Sequence, residues 1–314
     1  MDYLAFSQRN LVAREATRHK AFASSEIERC NYELGYRGFV NCKAAQGEQS
    51  FVMFNNADDV VAGHYMYAGP ASFETGTLKL WCHLARQAQW IYDIGAFTGV
   101  FALAAIAANP ASRVMAFEPS FVTYSRMLVN IAANGFGGHI APLRAGLGSM
   151  ESELDLQHPS GVYVMSSDET FVEGKIADAW FTEKVALFRL DHLLANQERY
   201  RREIVISTHF AGADLIKIDV EGFETEVIAG MKATIAAHRP CVIVECLDDN
   251  DQILDTPVVR ARIATLMDQF GPGYQVRHID EASGRFSDDI RGRNNLFIHE
   301  DRLDLIDGYS GYDD

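Results

Sequence analysis

The sequence predicts an α/β fold built on a doubly wound, mostly parallel sheet. Three observations carry this expectation. Short apolar runs alternate with amphipathic helical segments from residue 89 onward. The runs are continuously apolar rather than alternating, which marks strands buried on both faces between two helix layers. Four of them end in a carboxylate, at Asp93, Glu118, Asp219 and Glu245.

Residues 1–75 stand apart as a helix and hairpin extension. After a polar helix, GFVNCKA (38–44) and SFVMFNN (50–56) flank the turn AQGEQ and read as a β-hairpin. A short helix from Asp58 to Tyr67 and a Gly69-Pro70 break follow. A helix over 71–88 leads into the main domain, residues 76–300. The domain opens with WIYDIG (90–95), helix 99–108, RVMAFEP (113–119) and helix 120–134. That last helix has apolar positions 121, 124, 128 and 131, with Gly135 as its C-cap. DLIKIDVEG (214–222), helix 224–237 and CVIVEC (241–246) repeat the pattern, and helix 257–270 continues it. Two strands close the domain, YQVRHID (274–280) and NNLFIHE (294–300). Residues 145–210 are less regular; ELDLQ, VYVMSS and VALFRL read as extra strands or a cover over the site. Residues 301–314 read as an acidic, solvated tail.

Composition narrows the function classes. Of 314 residues, 48% are hydrophobic and 23% charged, enough for a full core. The net charge of −15 opposes phosphate backbones and anionic lipid, so neither nucleic acid nor membrane is the expected partner. Arg199, Arg201 and Arg202 form one basic cluster, read as a solvated helix end. The five cysteines are odd in number and lack C-x-x-C spacing, against a disulfide framework or zinc site. The N-terminus does not read as a signal peptide, and the longest apolar stretch, Val100 to Ala108, cannot span a bilayer. A soluble, cytoplasmic protein is the expectation.

In a doubly wound sheet the ligand lies at the carboxyl ends of the strands, so all four acids should rim one crevice. Taken singly, each reads as a cap on the following helix; four together point to a site. Between the first two lies the loop Asp93-Ile94-Gly95-Ala96-Phe97-Thr98-Gly99. Its glycines permit a turn and close ligand approach at a helix start. Such a loop serves either a dinucleotide or S-adenosylmethionine. The loop lacks G-x-G-x-x-G spacing, and Asp93 before the first glycine would oppose a pyrophosphate. A sulfonium and an ammonium suit an acidic rim, at roughly a few kcal/mol per contact before desolvation. Glu118 would accept hydrogen bonds from two ribose hydroxyls, a role common to both cofactor classes.

DIGAFTG, AFEPS, LIKIDVEGFETEVIAG and RPCVIVEC, in this order, resemble the FkbM family of S-adenosylmethionine-dependent methyltransferases. RLDHLL (189–194) and NNLFIHE resemble further segments of that family, and the likeness spans about residues 71–300. It implies a class I, Rossmann-like methyltransferase fold and O-methylation of a small-molecule or glycan hydroxyl. It also implies that Asp93, Gly95, Ala96 and Gly99 form the methionine side of the cofactor site. Glu118, Pro119 and Ser120 would hold the ribose and adenine edge, and Ala145 and Gly146 the adenine pocket. Glu74, in SFETG, would either contact the cofactor or cap the next helix. Phe97 departs from the family, which usually has Asn there.

Lys217 and Asp219 are two apart on one strand and share a face. Lys217 needs a carboxylate partner, Asp219 or Glu245. Either Lys217 only neutralises the rim, or Lys217, Asp219 or Glu221 orients and deprotonates the acceptor; Glu245 completes the catalytic candidates, and Asp219 also reads as a cofactor contact. Asp191, Asp219, Glu221 and Glu245 could offer oxygen to a divalent ion, but the absence of histidine ligand spacing makes no metal the expectation. Two other readings stay open: an NAD(P)-linked oxidoreductase or sugar-modifying enzyme, and a non-catalytic binding module.

Overall fold

The computed structural model describes residues 3–18, 20–159, 170–172, 179–203, 209–247 and 255–311. Its strands are β1 Arg37–Lys43, β2 Ser50–Asn56, β3 Trp90–Ile94, β4 Arg113–Phe117, β5 Ile140–Leu143, β6 Gly146–Leu147 and β7 Ser152–Pro159. They continue with β8 Ala179–Phe188, β9 Leu215–Ile218, β10 Cys241–Glu245, β11 Tyr274–Ile279, β12 Phe286–Ser287 and β13 Asn294–His299. The helices are α1 Tyr3–Thr17, α2 Ile27–Leu34, α3 Val60–Tyr67, α4 Thr75–Ala85, α5 Val100–Ala108 and α6 Phe121–Ala133. After them come α7 Leu190–Ala195, α8 Gln197–Glu203, α9 Glu224–Ala229, α10 Lys232–His238 and α11 Pro257–Phe270.

The main sheet has the order β12-β11-β13-β10-β9-β3-β4-β5. β5, β4, β3, β9 and β10 run parallel. β13 enters antiparallel beside β10 and pairs antiparallel with β11. Strand order reverses outward from β3, so the ends of β3 and β9 open a crevice where ligands bind in such sheets. Buried side chains form a separate hydrophobic cluster on each face, as the unbroken apolar strands require. ELDLQ lies in β7 and the VALF of VALFRL ends β8, with Leu190 already starting α7; with β6 these two strands form a three-stranded sheet beside the crevice. VYVMSS lies outside the described residues.

Three segments differ from the sequence expectation. The helix over 224–237 is two helices, α9 and α10, broken at Gly230 and Met231. A Cβ on Gly230 would stand 2.0 Å from the Gly148 carbonyl oxygen, so the chain turns where another backbone presses on it. The carboxylate of Asp191 accepts from Ala233 and Thr234 N–H, giving α10 its own start. The helix over 71–88 begins only at Thr75, because the preceding residues turn toward the crevice. The C-terminal segment is not simply solvated. Glu300–Ile306 forms a 3-10 helix, the Leu305 carbonyl contacts His83 Nε2 at 2.9 Å, and Tyr309 lies against the His83 ring.

The N-terminal hairpin and helices share a hydrophobic cluster with the main domain: Ile27, Met53 and Tyr65 join Leu78, Trp81 and Phe101. Arg199, Arg201 and Arg202 fall on α8. All five cysteines are buried thiols. Among the described residues no helix is long and apolar enough to cross a membrane.

Candidate active site

A cavity of about 600 Å³ opens at the carboxyl ends of β3, β4, β9 and β10. The glycine loop contributes Gly95, Ala96 and Phe97, and the β4 end contributes Glu118 and Pro119. Ala145 and Gly146 lie on the far wall, near Leu156 of β7. Asp219, Glu221, Glu245 and Arg293 form the opposite rim. The near wall comes from the N-terminal segment, through Val60, Val61, His64, Phe73 and Glu74.

Gly95 has φ +81°, and a Cβ there would sit 1.7 Å from the Asp219 carbonyl oxygen. The close approach that requires glycine is therefore to the backbone leaving β9. Phe97 is also left-handed, at φ +50°. Asn tolerates that region better than Phe, so the departure at 97 carries strain. Backbone chemistry offsets it: Phe97 N–H donates to Glu118 Oε2 at 2.7 Å. Ser120 N–H and Thr123 Oγ1 donate to Glu118 Oε1 at 2.9 and 2.8 Å. Glu118 is thus fixed by both neighbouring turns before any ligand arrives.

On the opposite rim, Glu74, Asp219 and Glu245 each bring a carboxylate oxygen within 4.8 Å of the others, a spacing able to hold a metal ion. Two cations already sit among them. Lys217 is fully buried and donates to Asp219 Oδ2 at 2.9 Å, with its Nζ 5.0 Å from the Phe101 ring centre. Arg293 donates to Glu245 Oε1 at 2.9 Å. The charge distribution follows. Burial raises the Asp219 pKa, but Lys217 and the hydrogen bond from Glu245 outweigh it, leaving Asp219 below its usual range. Burial and then the Asp219 charge push Glu245 well above its usual range, and a hydrogen bond joins it to Asp219. Burial would lower Lys217, yet Asp219, Glu74 and Glu245 together raise it. Glu74 is pushed to about 7 by burial, opposed by Lys217 and reinforced by Asp219.

Glu74 occupies the N-cap position of α4 but does not cap it. Glu281, from the turn after β11, accepts from Gly76 N–H at 2.8 Å and from the Thr77 hydroxyl at 2.6 Å instead. Glu74 adopts φ +38° and takes a hydrogen bond from Asn294 Nδ2 at 3.0 Å. The alternatives of cap and cavity contact resolve toward the cavity.

Most sequence-proposed residues converge on this crevice. Four do not line it. Asp93 is 1% exposed and accepts from Ala102 N–H at 2.9 Å, so it caps α5 behind the loop. Burial pushes it to about 7, opposed by Lys217 on the adjoining strand. Gly99 starts α5 at φ +95° against Met127. Ser120 starts α6 and orients Glu118 through its N–H. Lys217 lies beneath the rim. Glu221 lines the cavity at φ +53°, its carbonyl accepting from Thr170 Oγ1. Asp191 is spent on α10 and is no part of the acid cluster. Sequence reading missed His64, Glu281 and Arg293; RGRNN before the last strand was a usable signal for Arg293 alone.

The FkbM methyltransferase domain matches residues 93–271, more than half of the chain. The chain belongs to the FkbM methyltransferase family. This FkbM chain is 26% identical over 172 residues to hexuronic acid methyltransferase AglP of Haloferax volcanii, covering 55% of the chain and 62% of AglP. It is 29% identical over 158 residues to methyltransferase sdnD of Sordaria araneosa, covering 45% and 60%. It thus spans about 60% of the length of these curated relatives. A solved methyltransferase FkbM from Methylobacillus flagellatus matches 68% of the chain and 44% of its own at 17% identity, TM-score 0.39. The O-methyltransferase TomG from Streptomyces achromogenes, solved with SAM, matches 73% and 81% at 13% identity, TM-score 0.40.

Membership of the FkbM methyltransferase family implies S-adenosylmethionine as the cofactor to test against this site. The residues present fit it: Glu118 stands preset at the second strand end, and an ionised Asp219 faces the same cavity.

Proposed function

We propose that this FkbM chain uses S-adenosylmethionine to methylate a hydroxyl of a small molecule or glycan. The observation supporting this is the pairing, in one cavity, of a preset Glu118 clamp with a rim holding one ionised and one near-neutral carboxylate. Asp219, held by Lys217 and Glu245, is a weak base; its suited role is to keep negative charge beside a cationic cofactor. Glu74 titrates near neutrality and lines the cavity, matching what a proton acceptor needs. When bound, S-adenosylmethionine supplies an electrophilic methyl group. Transfer of that group would leave its carbon bonded to the acceptor oxygen and its electron pair on the departing sulfur, while Glu74 would take the hydroxyl proton. Lys217, Asp219 and Glu245 hold the charge around that step, and Glu221 shapes the acceptor side. AglP acts, by its name, on a hexuronic acid, which makes uronic acids the first acceptors to try.

The test is transfer of a labelled methyl group from S-adenosylmethionine to uronic acids, neutral sugars and phenols, with products read by mass spectrometry. Absence of cofactor binding in calorimetry would end this reading. Glu118→Ala is expected to weaken the cofactor at least about tenfold, since a charge-assisted hydrogen bond contributes about 1.5–3 kcal/mol. Unchanged affinity would remove Glu118 from the ribose site. Glu74→Gln is expected to lower kcat about tenfold and to erase the acidic limb of its pH profile near pH 7, with cofactor affinity within about threefold. A wild-type profile in that variant would reject Glu74 as the proton acceptor.

A further inference from the structure

Asn130, on α6, is fully buried between the glycine loop and the N-terminal hairpin. Its Nδ2 donates to the Thr98 carbonyl at 2.8 Å, and its Oδ1 accepts from Phe54 N–H at 2.7 Å. An amide can donate on one side and accept on the other, so this one side chain fastens the loop to β2. A second polar group of the N-terminal segment lies beside the same loop residue. Asp59 is fully buried and starts α3, with Oδ1 accepting from Ala62 N–H at 3.0 Å. Its Oδ2 and the Thr98 Oγ1 are both buried with no hydrogen-bond partner, and the nearby Thr98 hydroxyl opposes the rise that burial gives the Asp59 pKa. Thr98 is therefore held at its carbonyl by Asn130, with its hydroxyl beside the Asp59 carboxylate.

The loop has reason to need this. Gly95, Phe97 and Gly99 all have positive φ within five residues. Such conformations cost free energy that surrounding contacts must offset. The same loop presents Phe97 N–H to Glu118. We propose that Asn130, with Phe54 and Asp59 of the N-terminal segment, is a positioning device for the glycine loop and so sets cofactor affinity. This rests on the reading that the crevice binds S-adenosylmethionine. Phe54 and Asp59 lie outside residues 93–271, so the site is completed by chain beyond the family match.

Asn134, one turn along α6, supplies the control. It bonds Val52 N–H and carbonyl at 2.8 and 2.7 Å and donates to the Asn130 carbonyl at 2.8 Å, with no hydrogen bond to the glycine loop among the described residues. The test compares Asn130→Asp with Asn134→Ala by calorimetry with S-adenosylhomocysteine, melting temperature, and amide hydrogen exchange over residues 95–99. Asn130→Asp keeps the acceptor toward Phe54 and loses the donor toward Thr98. It is expected to raise Kd at least about tenfold and to speed exchange in the loop. Asn134→Ala should lower the melting temperature while keeping Kd within about threefold. Equal Kd values in the two variants, or Kd that merely follows stability, would overturn the proposal. Should Asn130→Asp fail to fold, Thr98→Val removes only the hydroxyl facing Asp59. A rise in Kd of about threefold at unchanged melting temperature is then expected, and unchanged Kd rejects the device. If wild-type protein binds no S-adenosylhomocysteine, the parent reading falls and the proposal with it.

Discussion

Gly95→Ala is expected to abolish measurable S-adenosylmethionine binding. The added methyl group meets not a mobile side chain but the Asp219 carbonyl oxygen, at 1.7 Å. Neither backbone can yield alone. Gly95 N–H donates to the Phe117 carbonyl at 3.0 Å, and Asp219 N–H donates to the Ile94 carbonyl at 2.9 Å. Relief means prying β3 from β9 at the crevice, which separates the Phe97 N–H from Glu118 and Asp219 from its partners together. The φ of +81° adds a conformational cost for any residue with a Cβ. Affinity should fall by more than about a hundredfold, with a lower melting temperature. Calorimetry alongside circular dichroism separates the two effects. Binding within about threefold of wild type at an unchanged melting temperature would show that the strand ends part freely, and would remove Gly95 from the cofactor site.

The periodic parts of this chain were legible because their cause is local. Continuous apolar runs name buried strands, and an acid after each run names the crevice, since strand ends in this topology share one side. Partnerships across long separations were not legible. Glu281 caps α4 in place of Glu74 from about 200 residues away, and no local pattern shows that Glu74 is thereby released. Asp191 resembled a loose acid until α10 folded above it. Asp93 sat in the same pattern as Glu118, yet one reaches forward along the chain to Ala102 and the other back to Phe97, and only tertiary geometry distinguishes them. The break at Gly230 likewise arises from a loop, around Gly148, that the helix sequence does not encode.

Lys217→Met is expected to destabilise the protein by about 3–5 kcal/mol near neutral pH, the range for removing one partner of a buried ion pair. Lys217 has no exposed surface, and Asp219, Glu74, Glu245 and Asp93 all face its charge. Methionine fills similar space against Phe101, so the loss is mainly electrostatic rather than a cavity. The pH dependence gives the claim its sign. Lys217 is raised in the folded state, so its stabilisation is fully present below its unfolded value and fades only in strong alkali. Asp219 is lowered, so its stabilisation is present above the unfolded carboxylate range and fades as the solution turns acidic. Between about pH 5 and 9 the wild-type pair is therefore intact. Without Lys217 the carboxylates lose the cation that lowers them, and burial raises them above their unfolded values. Such groups destabilise increasingly as pH climbs past the unfolded carboxylate range, because folding must then retain protons that the unfolded chain releases. The difference between wild type and Lys217→Met in urea unfolding should thus be larger at pH 8 than at pH 5.5. If Lys217 only fills space, the difference will be small and the same at both pH values.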